Sequence, residues 1–270
     1  MTATILKIAA ALAGIAGLLI AALAVFQTGL IFPRWAMGPG PALPERAERL
    51  ELLLPGGDRL VGVHLPPSAG GGGGPLILGF GGNAWDADAL ALFLQSIFSD
   101  RAVATFHFRG YRPSTGRPSA RALLEDAVAI HDHLAPRAPE GIVAVGISLG
   151  AGPAARLAGS RPVRGTILVT PFDSLADLAR SHYPWAPVGL LLRHHMEIAE
   201  DLSAAEVPVA IVTAERDSIV PAARSAPVRA AARNLVLDKT IPGAGHNDLF
   251  DRPAFAEAMR AALAAIEARR

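Results

Sequence analysis

The stretch that most constrains the fold is Gly146-Ile147-Ser148-Leu149-Gly150. An apolar run, Ile142-Val143-Ala144-Val145, leads into it, and small residues, Ala151-Gly152-Pro153-Ala154-Ala155, follow. The pattern predicts a buried strand, a sharp turn and the start of a helix. Such a turn forces Ser148 into a strained backbone conformation. The missing Cβ atoms of Gly146 and Gly150 let strand and helix approach closely on either side. The hydroxyl then stands at the edge of a sheet before a helix N-terminus, where N–H groups and the helix dipole stabilise negative charge.

The rest of the chain supplies the sheet. Residues 49–54 and 60–65 are strand-like runs joined by Pro55-Gly56-Gly57-Asp58, a hairpin signal. Residues 75–80, 102–108, 165–170, 207–213 and 235–241 read as further strands, and the glycine run 70–74 as a flexible loop. Helical spacing marks 86–98, 119–134 with Ser119 as N-cap, 221–233 and 254–269. Strands alternating with helices after the opening hairpin predict an α/β fold, a mostly parallel eight-stranded sheet with helices on both faces. Ligands of such sheets bind beyond the carboxyl ends of the strands. Between Phe172 and Val207 the alternation breaks. There Tyr183, Trp185 and the apolar run 188–192 suggest a small helical lid, about 175–206, with a plain packing helix as the alternative.

Composition removes several function classes. Lys and Arg number 25 against 24 Asp and Glu, a net charge of +1, so there is no basic field for nucleic acid. The chain has no Cys, hence neither disulfides nor a thiolate metal site. Residues 8–26 carry no charged or strongly polar side chain, enough helix at about 1.5 Å per residue to cross a hydrocarbon core of about 30 Å. This predicts a transmembrane helix within 1–30, a Pro/Gly-rich linker over 31–48 and a catalytic domain over 49–270. Phe32 and Trp35 are placed to meet the membrane interface. The alternative is a cleaved signal peptide with Lys7 as its positive region and Ala22-Leu23-Ala24 as its site, giving a secreted or periplasmic protein. Lys7 on one side and Arg34 on the other leave the orientation open.

A serine hydroxyl needs a base within hydrogen-bond reach, and the base needs a carboxylate to fix its tautomer. Downstream of Ser148 these pieces follow two successive strands, Asp217 within Ala214-Glu215-Arg216-Asp217-Ser218 and His246 within Gly243-Ala244-Gly245-His246-Asn247-Asp248. Glu215 and Asp248 compete for the acid role. Glu215 stands beside Arg216 as a pairing partner, and Asp248 is placed to cap the last helix. An oxyanion would be held by the N–H groups of Leu149 and of Asn83, in the loop Gly81-Gly82-Asn83. His64 and His107 fall in strands and read as structural. His194 and His195 are neighbours that point to different helix faces, with no carboxylate pair to complete a metal site.

Together, Gly82-Asn83-Ala84, Arg109-Gly110-Tyr111, Gly146-Ile147-Ser148-Leu149-Gly150, Thr170-Pro171-Phe172-Asp173-Ser174-Leu175, Asp217-Ser218-Ile219-Val220-Pro221 and Gly245-His246-Asn247-Asp248-Leu249 resemble the α/β-hydrolase superfamily. The resemblance is to its membrane-anchored single-domain branch of serine-aminopeptidase-like, depalmitoylase- and lysophospholipase-related proteins, over roughly residues 28–270. The family usually carries His where this chain has Gly81, and Gly where it has Arg112. The resemblance implies a serine hydrolase cleaving carboxylic esters or thioesters, with Ser148, Asp217 and His246 as triad. No metal and no organic cofactor is required. The expected partners are an acyl or lipid-like substrate and a membrane. The alternatives are a peptidase whose acidic subsite for a substrate amine would draw on Glu197, Glu200 and Asp201, and a catalytically silent membrane scaffold.

Overall fold

The computed structural model describes residues 2–70 and 73–269. The glycine loop expected over 70–74 therefore lies partly outside the described residues, at 71 and 72. The chain opens with one long helix, α1 (Thr2–Ile31), and reaches the opening hairpin, β1 (Glu48–Leu53) and β2 (Arg59–Leu65), after a 3-10 turn at Arg34–Ala36. Then come β3 (Leu76–Phe80), α2 (Ala87–Ile97), β4 (Val103–Phe106), α3 (Ala120–Leu134), β5 (Ile142–Ile147), α4 (Ala151–Ser160) and β6 (Gly165–Val169). Three short helices follow, α5 (Leu175–His182), α6 (Val188–Leu191) and α7 (Ile198–Ser203). The chain closes with β7 (Val209–Ala214), α8 (Ala222–Ala231), β8 (Leu235–Ile241) and α9 (Pro253–Glu267).

The strands form one 8-stranded sheet in the order β1-β2-β4-β3-β5-β6-β7-β8. β2 runs antiparallel to both β1 and β4, and the remaining pairings are parallel. β5 lies near the middle, with Gly146 level with Phe80 of β3 and Leu168 of β6. Alternation along the strands splits the core into two layers. Leu76, Leu78 and Phe80 point to the face covered by α3 and α4, with Leu123, Ile130 and Leu157. Ile77, Val143 and Val145 point to the other, covered by α2 and α9, with Leu94, Phe255 and Met259.

Local signals act as expected at Ser119, whose side chain accepts from the Ala122 N–H at 3.0 Å to start α3. β4 is shorter than its apolar run, so His107 lies just beyond the strand. α7 was not foreshadowed by any periodicity, being a single turn and a half wedged beside α4.

α1 is the one helix among the described residues long and apolar enough to cross a membrane. It is exposed from Thr2 to Leu19. Below that point Ile20, Leu23, Ala24, Gln27, Thr28 and Ile31 become wholly or partly buried, a stripe at the three-and-four spacing of one helix face. Phe32, expected at a membrane interface, is instead buried and meets the His194 ring edge-on at 5.2 Å between centroids. Trp35 is 83% exposed.

Candidate active site

β5 ends in a turn that puts Ser148 at φ +52°, a conformation that L residues adopt only under constraint. The constraint comes from both glycines. A Cβ on Gly146 would lie 2.7 Å from Ala154 Cβ, and one on Gly150 would lie 2.6 Å from the Gly81 carbonyl oxygen. Neither space exists for any other residue, so strand and helix close on the turn and the hydroxyl is pushed outward.

The structure brings Ser148, His246 and Asp217 together. His246 Nδ1 lies 2.7 Å from Asp217 Oδ2, and His246 Nε2 lies 3.2 Å from Ser148 Oγ. With Nδ1–H donating to the carboxylate, Nε2 presents its lone pair to the hydroxyl. The second oxygen of Asp217 accepts the N–H groups of Ile219 at 2.9 Å and Val220 at 2.7 Å. Its side chain is only 3% exposed. The Asp217-Ser218-Ile219-Val220 turn thus holds the carboxylate rigid and aims it at the ring.

The two competing acids are engaged elsewhere, and not as expected. Glu215 accepts from the Gly243 N–H at 2.7 Å instead of pairing with Arg216. Asp248 does not cap α9. Its carboxylate closes the histidine turn by accepting from Gly245 N–H at 2.6 Å, and it pairs with Arg252. The guanidinium and that N–H hold its carboxyl below the usual range.

Asn83 and Leu149 line the same cleft as Ser148 and His246. The Asn83 loop has a support that the motif alone did not disclose. Tyr111 Oη donates to the Asn83 carbonyl at 2.7 Å from a fully buried site, and burial pushes its phenol pKa up, so it stays a donor. The Arg109-Gly110-Tyr111 loop is itself tied to α3 by the Arg109–Asp126 pair. Beside it, a Cβ on Gly81 would meet Trp85 Cβ at 3.0 Å, so Trp85 takes the space that a larger residue would need.

The cleft has a volume of about 570 Å³, within the range of small-molecule sites. Its apolar lining comes from the segment after β6, through Phe172, Leu175 and Leu178, from the α6 region, through Val188 and Leu191, and from α1. None of Glu197, Glu200 and Asp201 lines it. Asp201 instead pairs with Arg156 at 3.1 Å.

Two histidine clusters lie outside the cleft's reacting end. Ligand atoms of Asp86, Asp88 and His107 lie within 4.8 Å of one another, but both oxygens of Asp88 are held by Arg49 at 2.7 Å, which spends that donor set on an ion pair. His194 Nε2 bonds Thr28 Oγ1 of α1 at 2.8 Å.

No protein-family model matches the chain. An uncharacterised protein of Mycobacterium tuberculosis is 37% identical over 212 residues, 76% of this chain and 74% of that protein. The lysophosphatidylserine lipase ABHD12 of Danio rerio is 30% identical over 138 residues, 44% of this chain and 36% of the lipase. Among solved structures, an α/β hydrolase from Vibrio vulnificus superposes with a TM-score of 0.68 at 17% identity, covering 88% of this chain and 92% of that one. A membrane phospholipase A described as a bacterial virulence factor superposes at 0.62 and 16% identity over 99% of both chains. This chain therefore belongs to one family with the Mycobacterium tuberculosis protein, and its eight-stranded sheet, superposed on those hydrolases, has the α/β-hydrolase fold.

Proposed function

We propose that this protein is a serine hydrolase that cleaves carboxylic esters or thioesters of lipid-like acyl substrates through an acyl-enzyme. The observation that carries the proposal is the continuous Asp217–His246–Ser148 hydrogen-bonded chain opening into an apolar cleft. Ser148 Oγ attacks the carbonyl carbon as His246 Nε2 takes its proton. The resulting imidazolium is stabilised by Asp217, and the oxyanion is held by the N–H groups of Leu149 and Asn83. His246 returns the proton to the departing alcohol or thiol. Water, deprotonated by the same nitrogen, then releases the acid and restores the hydroxyl.

The apolar lining favours an acyl chain, as do the lipase and phospholipase names carried by one relative and one structural neighbour. The peptidase alternative lacks its acidic subsite, since the three candidate carboxylates stay outside the cleft lining. The test is turnover of p-nitrophenyl esters of increasing chain length by the full chain in detergent micelles. Rising kcat/KM with length supports the proposal. Hydrolysis of aminoacyl-nitroanilides with none of esters would contradict it.

A further inference from the structure

The end of α1 is built into the reaction cleft. Ile20, Leu23, Ala24, Gln27 and Ile31 line the same cavity as Ser148 and His246. A helix that served only as a tether would need no such face. This one is clamped to the lid by a set of polar contacts that leave little freedom. Gln27 is 7% exposed. Its Nε2 donates to the Leu191 carbonyl at 2.9 Å and the Ala24 carbonyl at 2.8 Å, and its Oε1 accepts the Arg193 N–H at 2.7 Å. An amide in apolar surroundings is tolerated when its donors and acceptor are used in this way. The Arg193 guanidinium adds bonds to the carbonyls of Ala24 at 3.0 Å and Val25 at 3.3 Å, and Thr28 bonds His194.

Position along the helix sets where the cleft opens. Gln27 and Thr28 close the apolar run of 8–26, so they mark the end of the stretch suited to hydrocarbon. From Gln27 back to Ile20 the helix rises about 10 Å, against about 15 Å for one leaflet's hydrocarbon. With α1 spanning a membrane, the cleft wall made by Ile20, Leu23 and Ala24 would sit at the depth of acyl chains, not in water. In the segment that supplies the lining residues Ala186 and Leu191, Trp185 is 52% exposed and Leu190 87% exposed. An exposed tryptophan is a side chain preferred at a membrane interface.

Taking the ester-cleaving function proposed above as its ground, we infer that α1 is a retained part of the acyl-binding site. The substrate is an amphiphile resident in one leaflet, whose chain slides sideways into the cleft along Ile20, Leu23 and Ala24 until its carbonyl meets Ser148. Cleavage after Ala24, the position expected for a signal peptidase, would remove this wall while leaving Gln27 and the reacting residues in place.

The test uses the full-length protein in phosphatidylcholine vesicles, with p-nitrophenyl palmitate and p-nitrophenyl butyrate as long- and short-chain probes. Ala24→Phe adds a ring on the cleft face of α1, and Ala22→Phe adds the same volume on the exposed, opposite face. The expected result is a fall of about tenfold or more in the palmitate-to-butyrate ratio of kcat/KM for Ala24→Phe, with the ratio for Ala22→Phe equal to wild type. Should Ala24→Phe fail to accumulate folded, Leu23→Ala is used in its place, with the same direction of change expected. Diluting palmitate ester with phosphatidylcholine at fixed bulk concentration should also slow its hydrolysis, as entry from the leaflet requires. An unchanged ratio in the cleft-facing variants, an equal fall in Ala22→Phe, or a rate set by bulk concentration alone would overturn the inference. Fluorophosphonate modification of Ser148 in the same samples separates the two levels: modification with an unchanged ratio leaves the hydrolase standing and removes only the role of α1, whereas no modification removes the hydrolase proposal itself.

Discussion

The rim of the sheet and the wall opposite it are built by different rules. At the rim, Ser148, Asp217 and His246 sit in tight turns whose glycines, carboxylate-capped N–H groups and positive φ leave few alternatives. Opposite them, α1 and the segment 188–194 meet through apolar side chains plus one buried amide, a hydroxyl, a histidine and the Arg193 guanidinium. Under the proposed function, the rim makes and breaks bonds and the wall chooses what is presented to it. Substitutions at the rim should therefore stop turnover of every substrate, while those on the wall should change which substrate is taken and how firmly α1 is held.

The largest effect belongs to the rim. Ser148→Ala should lower kcat on a short ester by about 10⁴-fold or more, since members of such an array act as a unit. A stopped assay on the purified variant measures it, and a residual rate near wild type would assign the nucleophile elsewhere. Asp217→Asn should cost about 10³- to 10⁴-fold, because the amide removes the charge that stabilises the imidazolium and can turn the ring to the wrong tautomer. Next comes Tyr111→Phe, which leaves the Asn83 carbonyl without its donor. Steady-state kinetics should show a drop in kcat of about tenfold, less than the loss of a direct oxyanion donor, with KM little changed. A rise in KM alone would mean that Tyr111 shapes the binding surface and not the oxyanion loop.

On the wall, Gln27→Ala strands the Leu191 carbonyl and the Arg193 N–H in a largely apolar contact. Thermal unfolding in detergent should show a loss of about 1–3 kcal/mol, with short-ester turnover per folded molecule falling far less than in the rim variants. The smallest effect concerns pH. Burial, then the charges of Arg193 and His195, hold the His194 imidazole below its ordinary value. The released ring binds a proton more readily than the docked one, so docking weakens as pH falls through about 6.5 and is constant above it. The Tm difference between pH 8 and pH 5.5 should therefore be smaller in His194→Gln than in wild type.

The same contrast explains what could be read from the amino acids alone. Turn chemistry is local, so Gly146-Ile147-Ser148-Leu149-Gly150 and Gly245-His246-Asn247-Asp248 announce both position and geometry, and the strands around them follow from short apolar runs. The choice of Asp217 over Glu215 and Asp248 was only partly visible, because it depends on N–H groups of Ile219, Gly243 and Gly245 that become available only once the turns form. Tyr111 stood in a recognisable motif, but its contact with Asn83 joins loops after two different strands and has no spacing signature. The face of α1 was hidden for another reason. Lipid and lid demand equally apolar side chains, so Ile20, Leu23 and Ala24 look no different from Ala21 and Val25. Only Gln27 and Thr28 break the pattern, and they are the residues that bond Leu191, Arg193 and His194. Phe32, buried against His194, is ambiguous for the same cause, since an aromatic at a helix end suits an interface and a core alike.

The most direct test is to treat the folded protein with a fluorophosphonate and map the adduct by peptide mass spectrometry. The account predicts one modified peptide, carrying the adduct on Ser148, lost in Ser148→Ala and strongly slowed in His246→Ala. A folded protein left unmodified, or modified at another serine, would contradict it.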